Sequence, residues 1–417
     1  MRHPLLRIVA IVLVSAGALV EGQETSTLSW PGAIEPVQSP AGPNSAQPQL
    51  TTSARGVLLS WIEQAGPKAA LRFAERTSTG WSQAQTVASG TDWFVNWADV
   101  PSVLRLADGT LVGHWLQKSG SDTYAYDVRL SYSLDDGKTW SASFTPHTDG
   151  TKTEHGFATL FQMAGAGLGL VWLDGRAMTP ESNHSDHGAA RGAMSVRFAA
   201  FDRDWKRASE LPVDLRVCEC CPTTAVMTAN GPITAFRNRT DDEIRDIYVS
   251  RYENGKWTEP RAVHQDNWKI NACPVNGPML SALGRDVAIA WFTASDDVGR
   301  ASVAFSNDAG RTFGAPIRLD DKGALGRVDV ELNADGTAVA SWIEMADQRA
   351  HFRVRRVNRS GARSPAVTVS SIAGTRASGY PRIASNAAEI LFAWTESVAG
   401  VTQVRTAMTR MPANVTR

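Results

Sequence analysis

Seven short apolar stretches, each running into an aromatic residue with polar or acidic neighbours behind it, divide the chain at nearly even intervals. They read Ser60-Trp61-Ile62-Glu63, His114-Trp115-Leu116-Gln117, Val171-Trp172-Leu173-Asp174, Ala235-Phe236-Arg237-Asn238, Ala290-Trp291-Phe292-Thr293, Ser341-Trp342-Ile343-Glu344 and Ala393-Trp394-Thr395-Glu396. From Trp61 to Trp394 the steps are 54, 57, 64, 55, 51 and 52 residues. A period near 50 residues, filled with short strands, is the mark of a β-propeller. The sequence therefore predicts an all-β fold of four-stranded antiparallel blades, seven of them by this count.

One unit illustrates how a blade arises. Pro48-Gln49-Leu50 begins an inner strand, Gly56 to Trp61 forms the second, and Leu71 to Glu75 alternates as a half-buried third strand. Thr86-Val87 closes an edge strand. The last unit, Pro381 to Ala407, supplies only three strands. Trp30 to Val37 resembles the fourth-strand segments Trp81 to Val87 and Trp257 to Val263, so the N-terminal strand is expected to complete that blade. Ring closure of this kind removes exposed sheet edges.

Two outer turns carry a sharper signature. Ser133-Leu134-Asp135-Asp136-Gly137-Lys138-Thr139-Trp140 and Ser306-Asn307-Asp308-Ala309-Gly310-Arg311-Thr312-Phe313 share the pattern Ser-x-Asp-x-Gly-x-Thr-aromatic, and Asn254-Gly255-Lys256-Trp257 is a decayed copy. The Asp side chain accepts turn amides, Gly supplies a positive φ, and the aromatic packs between strands. These turns resemble the Asp boxes, or BNR repeats, of the sialidase superfamily. The resemblance implies the propeller fold. It does not carry an activity with it, since one fold hosts many functions. Sialidases of that family have six blades, which makes six the alternative to the seven units counted here.

Arg2, His3 and Arg7 followed by the apolar run Ile8 to Val20, with Val20-Glu21-Gly22 as a cleavage site, read as an export signal over residues 1–22. Residues 23–417 then form one propeller domain, periplasmic or secreted, with no membrane span, and a monomer is expected. Lysine plus arginine number 42 and aspartate plus glutamate also number 42, a balance that argues against a nucleic-acid partner.

In such a blade, the loops leading into strand one and those joining strands two and three open at the channel mouth. Cys218, Cys220 and Cys221 sit on the loop leading into the fourth unit, and Cys273 on that leading into the fifth. His155 leads into the third unit, whose long loop between strands two and three carries His184, Asp186 and His187. Thiolate and imidazole donors suit copper or zinc. Four cysteines in an exported chain equally suit disulfides or redox-active thiols. Adjacent Cys220 and Cys221 face opposite ways in a regular strand and do not pair with one another.

The sialidase resemblance implies a second reading, an exo-acting glycoside hydrolase of sialidase type. It assigns Tyr380 as a nucleophile, Arg382, Arg176 and Arg237 to a substrate carboxylate, and Asp99 (or Asp329) as the acid. The family's Arg-Ile-Pro motif is missing; Tyr380-Pro381-Arg382-Ile383 holds those residues in another order and in the last unit. The other reading is a non-hydrolytic binding protein that takes a small ligand, a glycan or a partner protein at a mouth with a cysteine-centred site. Because a sugar pocket has no need of the cysteine cluster, that cluster favours the binding-protein reading.

Overall fold

The computed structural model describes residues 28–178, 192–386 and 388–411. They form seven antiparallel sheets, each drawn from one sequence unit except the last, which the N-terminal strand completes. In the first blade Ser45–Ser53 is innermost, followed outward by Gly56–Ala65, Lys68–Thr77 and Gln85–Gly90. The first strand of every blade touches the first strand of the next, from Ser45–Ser53 round to Arg382–Ser385 and back again. The ring is closed and seven-bladed.

Closure uses the segment expected from the sequence. Glu35–Val37 pairs antiparallel with Val401–Arg410, in register Glu35 to Met408 and Val37 to Thr406, as the fourth strand of the last blade. The second blade has three strands, Ser102–Arg105, Leu111–Lys118 and Tyr126–Ser133; Phe144 bridges to Leu130 where a fourth would lie.

The repeated aromatic residues explain why the blades hold together. Each second strand is buried on both faces, so it reads as an apolar run rather than an alternation; Gly56–Ala65 is buried from Val57 to Ile62. Each aromatic packs back onto the preceding blade. Trp115 meets Leu58 and Phe73, Trp172 meets Val112 and Leu116, and Phe236 meets Val171 and Phe198. Trp291 likewise meets Ile233, Trp342 meets Val303, and Trp394 meets Phe352. Trp61 packs on Ala384 and Leu391 of the last blade, which seals the ring. Trp61, Trp172, Trp291 and Trp342 are fully buried, and truncating such a side chain costs about 3–5 kcal/mol.

The acidic residue of the pattern has its own role. The indole nitrogens of Trp61, Trp172 and Trp342 donate to Glu63, Asp174 and Glu344, two residues on, at 3.4, 2.8 and 3.1 Å. A buried indole N–H thereby finds its acceptor on the same strand.

Both full Asp-box turns form as their residues require. Thr139 N and Thr139 Oγ1 donate to Asp135 at 2.9 and 2.7 Å, and Gly137 N donates to Ser133 Oγ at 2.9 Å, with Gly137 at φ 84°. Asp308 repeats the pattern with Thr312 and Ser306. Those donors depress both carboxyls to about 2. These turns join third to fourth strands, at the end of the blades opposite the mouth.

Candidate functional site at the channel mouth

Several first strands enter the ring with a kink that turns side chains at the mouth. The register shifts between Ala46 and Gln49, between Gly156 and Thr159, and between Gly326 and Asp329. Gln47, Phe157 and Arg327 take positive φ there, as does Val275 in the loop leading to the fifth blade. Such bulges re-aim side chains that a straight strand would bury in alternation.

Tyr380 is the centre of one cluster. It is 2% exposed, its hydroxyl donates to the carbonyl of Val275 at 2.5 Å, and its ring stacks on Trp97 with centroids 5.9 Å apart. Arg327 lies 4.7 Å above the Trp97 ring and exposed Arg376 lies 6.0 Å from it. Arg382, on the channel wall, sits 5.4 Å from the Tyr380 ring. Burial raises the Tyr380 phenol well above its ordinary value, against the pull of Arg327, Arg382 and Arg237.

The charges around it are unequal. Arg382 has Asp329 as its counter-charge, although burial still lowers its pKa. Asp329 accepts from the backbone of Ile383 and Val330, both at 2.9 Å, and burial lifts it to about 6. Arg327 donates through Nη1 to Thr375 O, Gly379 O and Ser378 Oγ. Among the described residues no carboxylate pairs with Arg327 or Arg376. Deeper in the channel, Gln49, Thr51, Ser102, Thr224, Met279 and Arg382 line a cavity of about 70 Å³, room for a few waters and too small for a sugar ring.

A second cluster lies between the second and third blades. Asp99 is 1% exposed; its Oδ1 accepts from Phe157 N at 2.7 Å and its Oδ2 lies 3.2 Å from the Tyr126 hydroxyl. That hydroxyl donates to Glu154 at 2.7 Å. Burial raises Asp99 to about 7. Asp99 therefore belongs to a buried polar network with Tyr126 and Glu154.

Next to it, the rings of His147 and His155 stack 3.8 Å apart and parallel to within 9°. His147 Nδ1 pairs with Asp149 at 2.9 Å. His155 Nδ1 lies 3.3 Å from Asp127, and its Nε2 lies 3.4 Å from Asp149 and 3.8 Å from Asp174. Neither nitrogen of His155 makes a directed hydrogen bond, so these are charge contacts. Burial opposes the charge on His155, but Asp127, Asp149 and Asp174 prevail and raise it to about 9. Arg176 joins this cluster, bonded to both oxygens of Asp174 at 2.7 Å and to Glu210 at 2.8 Å.

Asp127, His147 and His155 offer three donor atoms within 4.8 Å of one another. Metal binding through an imidazole uses the lone pair in its ring plane, and two parallel stacked rings cannot both aim that lone pair at one ion. As arranged, the pair fits an imidazolium held by carboxylates better than it fits a metal.

The four cysteines meet on one rim, as their loops predict, and they are paired. Cys218 bonds to Cys221, and Cys220 bonds to Cys273 across the fourth and fifth blades. Neither disulfide leaves a thiol free, so thiolate ligation of copper or zinc by these residues requires reduction first. Arg239 and Arg245 brace the cluster through Glu219 and Glu243.

The remaining sequence candidates separate. Arg237 is 1% exposed and gives its three nitrogens to the carbonyls of Asn276, Arg245 and Phe292 at 2.8, 2.5 and 2.6 Å; burial lowers it to about 10. It pins the lead-in of the fifth blade and is buried from solvent. Arg176 is committed to its acids. His184, Asp186 and His187 lie outside the described residues, as does the expected signal at 1–22. Sequence reading did not single out Trp97, Arg327, Arg376 or His147. The signal available for Arg327 was Leu325-Gly326-Arg327-Val328, which matches His155-Gly156-Phe157-Ala158 at the same kink of another blade.

The sequence matches no protein-family model and no curated protein sequence. Solved structures do resemble it. A protein of unknown function from Dyadobacter fermentans aligns with TM-score 0.54 at 14% identity, over 92% of this chain and 99% of its own. The polysaccharide lyase Uly1 aligns with TM-score 0.54 at 10% identity, over 95% of this chain and 94% of its own. The Hadza microbial sialidase Hz136 aligns with TM-score 0.50 at 14% identity, over 84% of this chain and 76% of its own. The chain has a sialidase-like β-propeller fold, and at these identities the likeness speaks for the fold alone.

Proposed function

We propose that the protein is a binding propeller whose mouth takes a carboxylate-bearing ligand, an acidic sugar at the end of an extracellular glycan. The observation that carries this is the Trp97 ring backed by Tyr380 and flanked by Arg327 and Arg376, with no carboxylate among the described residues to neutralise either arginine. Guanidinium groups suit a carboxylate, and Trp97, partly exposed between Tyr380 and Arg327, offers apolar surface beside them to a sugar ring. The relatives in fold include a sialidase and a polysaccharide lyase, which supports a glycan as the ligand class. The cysteine pairs support the same reading as a staple that holds the rim in shape.

Hydrolysis by a tyrosine nucleophile is less well supported. The Tyr380 hydroxyl is spent on a backbone carbonyl, no carboxylate among the described residues sits on it to take its proton, and burial disfavours the phenolate. Exo-sialidase activity stands as the alternative.

Calorimetric titration with sialylated, uronate-bearing and neutral oligosaccharides tests the proposal. Binding of at least one acidic class is expected, weakened about tenfold or more by Arg376→Ala and Trp97→Ala. Equal binding of neutral and acidic glycans, or insensitivity to both substitutions, would rule it out. Turnover of a fluorogenic sialoside would establish the alternative.

A further inference from the structure

We propose that the four cysteines form a thiol–disulfide exchange site, through which a dithiol at the rim of the mouth reduces a disulfide that it cannot reach directly. Cys218 and Cys221 are each 1% exposed, whereas Cys220 and Cys273 are partly exposed. The two bonds are not isolated from one another. Cys218 Sγ lies 4.0 Å from Cys220 Sγ, close to van der Waals contact, and Cys220 is joined to Cys221 by a single peptide bond. The outer disulfide is thus the accessible one, and one of its sulfurs already faces the inner one.

The steps balance. A thiolate of the dithiol attacks Cys273 Sγ, the Cys220–Cys273 bond breaks, and Cys220 leaves as a thiolate. The second thiol of the reductant resolves the mixed disulfide, releasing the Cys273 thiolate and an oxidised reductant; two electrons have entered the protein. Cys220 then attacks Cys218 Sγ, a Cys218–Cys220 bond forms, the Cys218–Cys221 bond breaks, and Cys221 leaves as a thiolate that takes a proton. Arg245 Nη1 lies 3.6 Å from Cys218 Sγ, where negative charge is shared along the three sulfurs during this displacement. A cation at that point favours thiolate character. The proposal does not depend on what the mouth binds.

Limiting dithiothreitol under native conditions, an acid quench, alkylation and peptide mapping test it. The two-thiol species is expected to carry label on Cys221 and Cys273, with Cys218 linked to Cys220. Label on Cys220 and Cys273 with the Cys218–Cys221 bond intact would overturn the proposal. The double substitution Cys220→Ser/Cys273→Ser provides a second measurement, with its melting transition as a check that it folds. Native-state reduction of Cys218–Cys221 is expected to slow about tenfold or more without the relay sulfur; an unchanged rate would also overturn it.

Discussion

The hydroxyl of Tyr380 donates to the carbonyl of Val275 at 2.5 Å, joining the lead-in loops of the last and fifth blades across the mouth. Val275 lies two residues from Cys273 and takes φ 48°, a sparsely populated conformation for a β-branched residue. The bond and the Cys220–Cys273 disulfide thus hold the same strained segment from two sides.

Tyr380→Phe should therefore behave as a structural lesion. It leaves the Val275 carbonyl without its donor and is expected to lower stability by about 1 kcal/mol, measured by urea unfolding. The Trp97 stack survives the change, so affinity for an acidic ligand should hold within a few-fold. A sialoside hydrolysis that disappears in this variant would reverse the reading of Tyr380.

Arg176 should prove a structural residue. Asp174 is fully buried, and Arg176 bonds both its oxygens. Arg176→Met leaves that carboxylate with His155, the Trp172 indole and the backbone N–H of residue 176 as its remaining partners, and a loss of about 3–5 kcal/mol is expected from breaking a buried pair. Adding Asp174→Asn should recover part of that loss. A double-mutant cycle by chemical unfolding checks this, and additive effects would contradict it.

How much of this was legible depends on which residue pattern carried each feature. The aromatic period gave seven blades because each aromatic performs the same task at its seam, and the ring-closing strand was visible as a fourth-strand segment lacking a blade. The cysteine rim followed from loop order alone. Pairing did not, since Cys218-Glu219-Cys220-Cys221 permits several connectivities. The partners of the arginines were not legible for a physical reason: Arg237 and Arg176 sit where loops open at the mouth, nearby carbonyls and acids bind them, and a sequence does not reveal an arginine's partners. Arg327 was missed because a bulge, not strand alternation, aims it.

Gly277 should tolerate no side chain. A Cβ there would lie 2.0 Å from the Pro222 carbonyl oxygen, a backbone atom with little room to move. Pro222 follows Cys221, so this is the seam between the cysteine loop and the fifth blade. Gly277→Ala is expected to destabilise by about 1–3 kcal/mol or more through overpacking. Gly255→Ala makes the comparison, since nothing lies within 4 Å of its Cβ position, although its φ of 81° imposes a smaller backbone cost. Equal melting temperatures for the two variants would contradict this account of the seam.

The Asp99 network predicts a pH dependence of definite sign. Tyr126 has one hydrogen and two carboxylates near it, Glu154 at 2.7 Å and Asp99 at 3.2 Å. The closer acid takes the hydrogen, which leaves Asp99 facing an oxygen lone pair and favours its protonated form. Burial acts the same way, so the folded-state pKa is raised from 3.8 to about 7. Between those values the folded state holds a proton that the unfolded chain has lost, and stability falls as pH rises. The contribution is complete below pH 4, is gone above pH 7, and is on the order of 4 kcal/mol at most. Asp329, raised to about 6, and Glu331, raised to about 8, add slope of the same sign. Asp149 and Asp174, held low by their partners despite burial, act in the opposite sense at lower pH, and His114, lowered by burial from 6.5 to about 3, acts in the opposite sense within the same range. Asp99→Asn keeps an acceptor for Phe157 N and places a donor towards the Tyr126 oxygen, as the protonated acid does. The unfolding free energy of the unsubstituted protein should fall relative to that of Asp99→Asn as pH rises from 4 to 7. Parallel profiles would mean that Asp99 is ionised in the folded state, with Tyr126 divided between two acceptors.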